Sequence, residues 1–156
     1  MTRRALAPIF LTLLAAGGLL AADHPDFSGN FKLNTEKSDF GQMPKPDKAD
    51  YVITHKDPDM KVKTSMVTQM GEMNTETNMT TDGKEFTNSA YGMDIKGTAK
   101  WDGAILVVSQ KMSMQGQDMA ITTKWSLSAD GKTITQDTSM STPQGDMTFK
   151  AVLDKQ

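Results

Sequence analysis

The 156-residue chain contains no cysteine, so it has no disulfide, no cysteine nucleophile and no site for lipid attachment to a cysteine. Arginine is nearly as scarce, because Arg3 and Arg4 are the only two, and histidine occurs only at His24 and His55. No phosphate-binding loop, dinucleotide fingerprint or nucleophile-elbow motif is present. We therefore expect the protein not to be an enzyme and to carry no cofactor.

The overall charge balance conceals an acidic domain. The whole chain has 17 basic and 19 acidic side chains, a formal net charge of −2. Beyond residue 22 the 15 remaining basic residues are all lysine and all 19 acidic residues remain, which gives a net charge of −4. Nucleic-acid binding relies on clustered lysine and arginine that neutralise phosphates. An acidic domain without arginine therefore favours no nucleic-acid partner.

The first 22 residues have the three-part form of a secretory signal peptide. Arg3 and Arg4 supply the basic start, the uncharged run Ala5–Leu20 follows, and Ala21 and Ala22 supply small residues before the cut. The uncharged run of 16 residues is shorter than the roughly 20 needed to span a bilayer. We expect residues 1–22 to be cleaved, which leaves residues 23–156 as one exported domain, periplasmic or extracellular, without a stable membrane anchor.

The remainder of the chain is typical of an all-β protein. Asp-Gly pairs at 82–83, 102–103 and 130–131 mark tight hairpin turns. Runs between the turns alternate apolar and polar residues, the pattern of antiparallel sheet with one wet face. No stretch has a helical period, and residues 34–49 form a connector with at most one short helical turn. We predict ten strands: 28–33, 50–56, 60–69, 73–81, 85–90, 94–101, 104–113, 118–127, 133–140 and 146–153.

Ten short strands in an open sheet would leave two exposed edges that invite aggregation. Closure into a barrel removes those edges, so we predict an antiparallel up-and-down barrel of about 8–10 strands that remains a monomer. A barrel of this size is wide enough to hold one small ligand.

The start of the first strand, Phe27-Ser28-Gly29-Asn30-Phe31-Lys32-Leu33, resembles the Gly-x-Trp-x-Leu start of lipocalins and fatty-acid-binding proteins, with Phe31 in place of tryptophan. The segments 100–108 and 125–133 look like closing hairpins of such barrels and of small secreted bacterial proteins of unknown function. The resemblance implies a ligand-binding barrel. It does not extend to the Arg-x-Tyr pair that grips a fatty-acid carboxylate, because the last strand reads Lys150-Ala151-Val152-Leu153-Asp154.

The chain has 13 methionines, an unusually high number. Methionine is unbranched and polarizable, and it fills adaptable interiors or lines promiscuous cavities. Thioethers also select Cu(I), and three sulfur ligands could come from Met112, Met114 and Met119 or from Met66, Met70 and Met73. Alternation favours the first interpretation, because most of the methionines share strand faces with the other apolar residues. His55 lies between Thr54 and Lys56, which favours a surface or rim position.

These patterns favour an exported protein that binds a small apolar or amphipathic molecule inside the barrel, with Thr64, Thr77 and Thr123 orienting it. The first alternative is a filled barrel that acts as a structural or protein-interaction module without a ligand. The second is Cu(I) binding by methionine. The residues predicted to line the cavity are Met66, Met79, Ile95, Trp101, Val108, Met112, Ile121, Trp125, Met140 and Phe149.

Overall fold

The computed structural model describes residues 24–90, 92–114 and 116–156, except for the side chain of Met114. The predicted signal peptide lies outside these residues. The described chain forms ten strands and no helix. Each predicted strand matches an observed one, with bounds that differ by at most three residues. The strands are β1 (Gly29–Leu33), β2 (Lys48–Lys56), β3 (Asp59–Thr68), β4 (Gly71–Thr80), β5 (Asp82–Ala90), β6 (Met93–Asp102), β7 (Ile105–Met114), β8 (Gln117–Leu127), β9 (Thr133–Thr142) and β10 (Gly145–Lys155).

The strands form one antiparallel sheet in the order β4-β3-β2-β1-β10-β9-β8-β7-β6-β5. Neighbours in sequence are neighbours in space, and β1 pairs with β10, so the sheet curls into an up-and-down barrel as predicted. The connector between β1 and β2 contains turns only. It continues the pairing of β1 along β10, where Asp39 bridges to Lys150.

The Asp-Gly pairs at 102–103 and 130–131 form the turns that the sequence predicts. The prediction is wrong for Asp82-Gly83, which lies at the start of β5 where the pairing with β6 shifts register, because the described residues of β4 and β5 do not pair as a hairpin. Gly103 has a φ of 62° and Gly131 a φ of 69°, values that L side chains rarely adopt. Tight reversals at these points set the register of the flanking strands, which pair without a slip from Lys96↔Lys111 to Asp102↔Ile105 in the first case.

Closure of the barrel is incomplete, because the described backbone makes no ladder between β4 and β5. The side chain of Asn88 takes the place of a ladder peptide. Its Oδ1 accepts from the Asn78 backbone N–H at 2.8 Å, and its Nδ2 donates to the Asn78 carbonyl at 3.0 Å. A carboxamide has the donor and acceptor of a peptide group, so one side chain joins the two strands. The expectation that closure removes both edges is therefore wrong for the described sheet, whose edge strands β4 and β5 are linked by this side chain and not by a ladder.

One end of the barrel is filled, and we call it the base. The most completely buried large side chains meet there: Phe27, Phe31, Leu106, Ile134 and Leu153, each at most 1% exposed. Phe27 comes from the segment that precedes β1 and closes the base from below. The hairpins β2–β3, β6–β7 and β8–β9 turn at the same end, and the connection between β4 and β5, which form no ladder with each other in the described chain, lies there too.

Gly97 allows the wall of the barrel to pack beside Phe86. A Cβ at this position would lie 2.6 Å from the Ser109 carbonyl oxygen and 2.7 Å from the Phe86 ring. Because these separations are far below van der Waals contact, only glycine fits without a shift of the backbone.

Candidate functional site

The inward-facing side chains change character along the barrel axis. On β8 the inward residues run Trp125, Thr123, Ile121 and Met119 from the base towards the opposite end. On β9 they run Ile134, Gln136, Thr138 and Met140. The lumen therefore has a filled base, a polar middle and an end rich in methionine.

The base holds a stack of aromatic rings around Trp101. His24 stacks on Trp101 with ring centroids 4.3 Å apart, and Phe27 lies parallel to the same indole at 5.8 Å. Phe27 also meets Trp125 edge-on at 5.9 Å. Stacked and edge-to-face pairs of this kind add to the free energy gained by burying the rings. The stack anchors the segment before β1 to the barrel floor.

Asp57 is the polar centre of the base. Its carboxylate accepts hydrogen bonds from the Thr81 hydroxyl and from Trp101 Nε1 at 3.3 Å, and its Oδ2 lies 2.9 Å from His24 Nδ1. Partial burial tends to raise the pKa of this carboxyl, but the hydrogen bonds from Thr81, His24 and Trp101 outweigh burial and lower the pKa to about 2. Asp57 is therefore ionised at neutral pH.

The prediction that His55 lies on the surface or rim is wrong. The imidazole is buried, because Phe27 covers it, and its Nδ1 accepts from the Phe27 backbone N–H at 3.3 Å. That bond places the proton of the neutral ring on Nε2. Among the described residues, Nε2 is the one buried side-chain polar atom without a hydrogen-bond partner, and it lies 3.7 Å from Asp57 Oδ1.

Above the base lies an internal cavity of about 140 Å³. Six of its ten lining residues are polar and none is charged. We call the six the polar belt: Tyr51, Thr64, Thr77, Gln110, Thr123 and Gln136. The other four, Val62, Met79, Val108 and Trp125, supply apolar surface. Because the ten residues come from β2, β3, β4, β7, β8 and β9, the cavity spans the lumen from wall to wall.

Most groups of the polar belt point into the cavity without satisfying one another. The Thr123 hydroxyl bonds to Thr138 at 3.1 Å. Among the described residues, the carboxamides of Gln110 and Gln136 have no protein partner. Burial raises the pKa of the Tyr51 hydroxyl, which therefore remains a donor at neutral pH. All six residues of the polar belt are half-buried, so their polar groups are open to the cavity and are suited to a guest or to water.

The end opposite the base carries cross-strand pairs of methionine, which we call the methionine rim. In the ladders β3–β4, β7–β8 and β9–β10 the pairs are Met66↔Met73, Met112↔Met119 and Met140↔Met147. All six side chains are half-buried or slightly more exposed. Of the proposed copper ligands, Met112 and Met119 are thus cross-strand neighbours, and Met114 has no described side chain.

The ten residues predicted to line the cavity occupy three places. Met79, Val108 and Trp125 line the internal cavity. Trp101 lies in the base beside His24 and Phe27. The remaining six are half-buried on inward-facing positions towards the methionine rim: Met66, Ile95, Met112, Ile121, Met140 and Phe149. The three threonines expected to orient a ligand all line the cavity.

Sequence reasoning missed four lining residues: Tyr51, Val62, Gln110 and Gln136. A signal for the two glutamines existed, because Gln110 shares its strand parity with Val108, and Gln136 shares its parity with Ile134. A glutamine in phase with buried residues points inward, whatever its polarity.

Two further clefts lie at the barrel wall. One of about 730 Å³ is lined by Met112 and Met119 together with outward-facing Lys96, Lys111 and Ala120. The other, of about 530 Å³, lies at the β4–β5 gap. Both are bounded by exposed charged side chains, whereas the smaller internal cavity is lined by inward-facing side chains, none of them charged. An apolar or amphipathic ligand suits a lining that combines apolar surface with uncharged polar groups, so we place the candidate site there.

No group of three or more histidine, aspartate or glutamate side chains in residues 24–156 is arranged to hold a metal ion, with Tyr91 and Gln115 set aside. Over the same residues, no helix has the length and apolar character that crossing a membrane requires.

Comparison with protein-family profiles and with curated protein sequences finds no match. Comparison of structures does find relatives. A secretory abundant heat soluble protein from Ramazzottius varieornatus superposes with a TM-score of 0.59 at 14% identity, over 83% of this chain and 94% of that chain. The chain has a lipocalin-like fold.

Two further barrels of this fold are similar. Zebrafish ileal bile acid-binding protein, in complex with cholic acid, gives a TM-score of 0.52 at 14% identity and covers 83% of this chain and 98% of its own. Human cRBP IV gives 0.51 at 16% identity, over 84% and 98%. The lipocalin and fatty-acid-binding type of barrel expected from the start of β1 is therefore confirmed at the level of the fold.

Proposed function

We propose that this chain is an exported binding protein, without catalytic activity, that holds one small apolar or amphipathic molecule in the barrel lumen. The observation that carries the proposal is the uncharged cavity of about 140 Å³ inside the barrel, into which the carboxamides of the polar belt project. The structural relatives include a barrel solved with cholic acid. Export is supported by the form of residues 1–22.

Trp125 lines the cavity and Trp101 lies in the base, so the two indoles can report separately on binding. A Trp101→Phe variant leaves Trp125 as the single tryptophan, which is excited selectively at wavelengths that tyrosine does not absorb. We expect saturable quenching of its emission by apolar and amphipathic probes. The matched Trp125→Phe variant, in which only Trp101 remains, should respond weakly to the same probes.

The rival function is a filled barrel that acts as a structural or protein-interaction module. It is favoured by the size of the cavity, which is below the roughly 300–1,000 Å³ of most ligand pockets. The same titration separates the two functions. If a panel of lipids and aromatic compounds leaves Trp125 emission unchanged and calorimetry detects no heat, the rival is correct.

Export has its own measurement. When the full chain is expressed in a bacterial host, we expect it in the periplasmic or extracellular fraction, with a mass lower by residues 1–22. A chain that stays in the cytoplasm with an uncut N-terminus contradicts the proposal.

A further inference from the structure

We propose that the polar belt receives the uncharged, hydrogen-bonding end of an amphipathic molecule, such as an alcohol or a carboxamide, and that the methionine rim contacts its apolar chain. This inference rests on the proposed binding function and names its ligand class. It also fixes the orientation of the ligand, with the polar end towards the base.

The cavity is kept apart from the charged side chains of the strands that form it. None of the ten lining residues is charged. On the strands that form the cavity, charged side chains take the alternate, outward positions and are exposed: Lys61, Lys63, Glu76, Lys111, Lys124 and Asp137. A carboxylate or ammonium group in the belt would lose its hydration without meeting an opposite charge, which is strongly unfavourable.

The side chains of the polar belt suit a neutral polar group. Each carboxamide offers two donor hydrogens and an acceptor oxygen, and each hydroxyl can donate or accept. The belt holds two carboxamides, those of Gln110 and Gln136, and four hydroxyls. Such a set matches a group that both donates and accepts, which describes an alcohol or an amide. An alkane would leave these groups unpaired, and that costs free energy.

The cavity is small, and the inward-facing residues change from polar to apolar between the polar belt and the methionine rim. A volume of about 140 Å³ corresponds to four or five water molecules at roughly 30 Å³ each, enough for a polar group and a few carbon atoms. The rest of a longer molecule must extend away from the filled base. Inward residues lie roughly 7 Å apart along a strand, so Met140 is one such step beyond Thr138 and two beyond Gln136. Its thioether suits an apolar chain.

The test uses four probes with the same ten-carbon chain: decan-1-ol, decanamide, decanoate and decylammonium. Their affinities are measured at pH 7.5 by titration of the Trp101→Phe variant. We expect decanol and decanamide to bind at least about tenfold more tightly than either ion, because only the ions must give up hydration without compensation.

Charge introduced into the belt should invert the selectivity. In Gln136→Glu we expect decylammonium to become the preferred probe. Gln110→Leu removes the donor and the acceptor of one carboxamide and carries a lower risk to folding. It should weaken the affinities for decanol and decanamide by up to about tenfold and leave the affinities for the two ions unchanged. Ser139→Glu is the matched control, since it adds the same charge on the exposed face of β9. Circular dichroism verifies the fold of each variant.

The outcomes separate this inference from the proposed function. If decanoate or decylammonium binds as tightly as decanol in the parent protein, the belt does not select neutral groups and the inference is wrong, while the binding function stands. If none of the four probes binds, both fail. The inference is also wrong if the neutral probes bind tightly and Gln110→Leu leaves their affinities unchanged, because the probes would then occupy another site.

Discussion

The segment before β1 closes the base through one side chain, and removing that side chain should destabilise the whole barrel. Phe27 is 0% exposed and contacts Trp101, Trp125 and His55. It belongs to no strand, and its position in the core is fixed by its own burial and by the hydrogen bond from its backbone N–H to His55. We therefore single out Phe27→Ala as the test of how the base is built.

The expected magnitude follows from the burial and the contacts. Truncation of a fully buried phenylalanine to alanine costs about 3–5 kcal/mol, through lost transfer free energy and the cavity left behind. Because Phe27 also makes aromatic pairs with Trp101 and Trp125, we expect the cost of Phe27→Ala to lie towards the upper end of that range. Because domains of this size are stable by about 5–15 kcal/mol, the variant should lose a third or more of its free energy of unfolding.

Urea denaturation monitored by circular dichroism measures this difference directly. Phe40→Ala is the matched control, since Phe40 is half-buried and stacks only on Phe149 at 6.5 Å. We expect its cost to be less than half that of Phe27→Ala. If Phe27→Ala costs under about 1 kcal/mol, or no more than Phe40→Ala, the segment before β1 does not close the barrel.

Three further predictions concern the base, the wall and the gap. The folded-state pKa of Asp57 is about 2 against an ordinary value of 3.8, so its contribution to stability is present above pH 3.8 and is lost as the pH falls towards 2. In Asp57→Asn the free energy of unfolding, measured by urea denaturation at a series of pH values, should therefore fall less steeply over that window. Gly97→Ala should cost about 1–3 kcal/mol in urea denaturation, because the new Cβ meets the carbonyl oxygen of Ser109. Asn88→Ala should speed hydrogen exchange of the Asn78 amide by up to about tenfold and cost about 0.5–1.5 kcal/mol.

Matched controls lie on the same strands. Thr98→Ala follows Gly97 on β6 but faces outward, and Thr87→Ala precedes Asn88 on β5 and is exposed. Both should change stability by less than about 0.5 kcal/mol. If Gly97→Ala is as stable as Thr98→Ala, the backbone around position 97 shifts to admit a Cβ and the reasoning is wrong. If the Asn78 amide exchanges at the parent rate in Asn88→Ala, the Asn88 side chain is not what joins β4 to β5.

The strands could be predicted from the sequence because their signals are local. Alternation within a strand and the positive-φ glycines at Asp102-Gly103 and Asp130-Gly131 depend on neighbours along the chain. Once ten short strands follow one another through tight turns, an up-and-down order is the simplest arrangement. The order β4-β3-β2-β1-β10 and onward to β5 confirms it.

The features that sequence reasoning missed depend on distant contacts. His55 is buried because Phe27, 28 residues earlier, lies over it, and no local pattern around Thr54 and Lys56 shows that. The β4–β5 gap depends on how far the sheet curls before its edges meet, and Asn88 joins them by one carboxamide. Gln110 and Gln136 are different, because their positions in the alternation predicted an inward side chain and only their polar character suggested an outward one.

The central claim is that the lumen takes a guest between the polar belt and the methionine rim. Methyl NMR of methionine-labelled protein during titration with decan-1-ol tests it most directly. Our account predicts saturable shifts for Met79 in the cavity and for Met112 and Met140 at the rim, with no shift for Met70, which is 90% exposed on the β3–β4 turn. Shifts confined to Met70, or none at saturating probe, would contradict it.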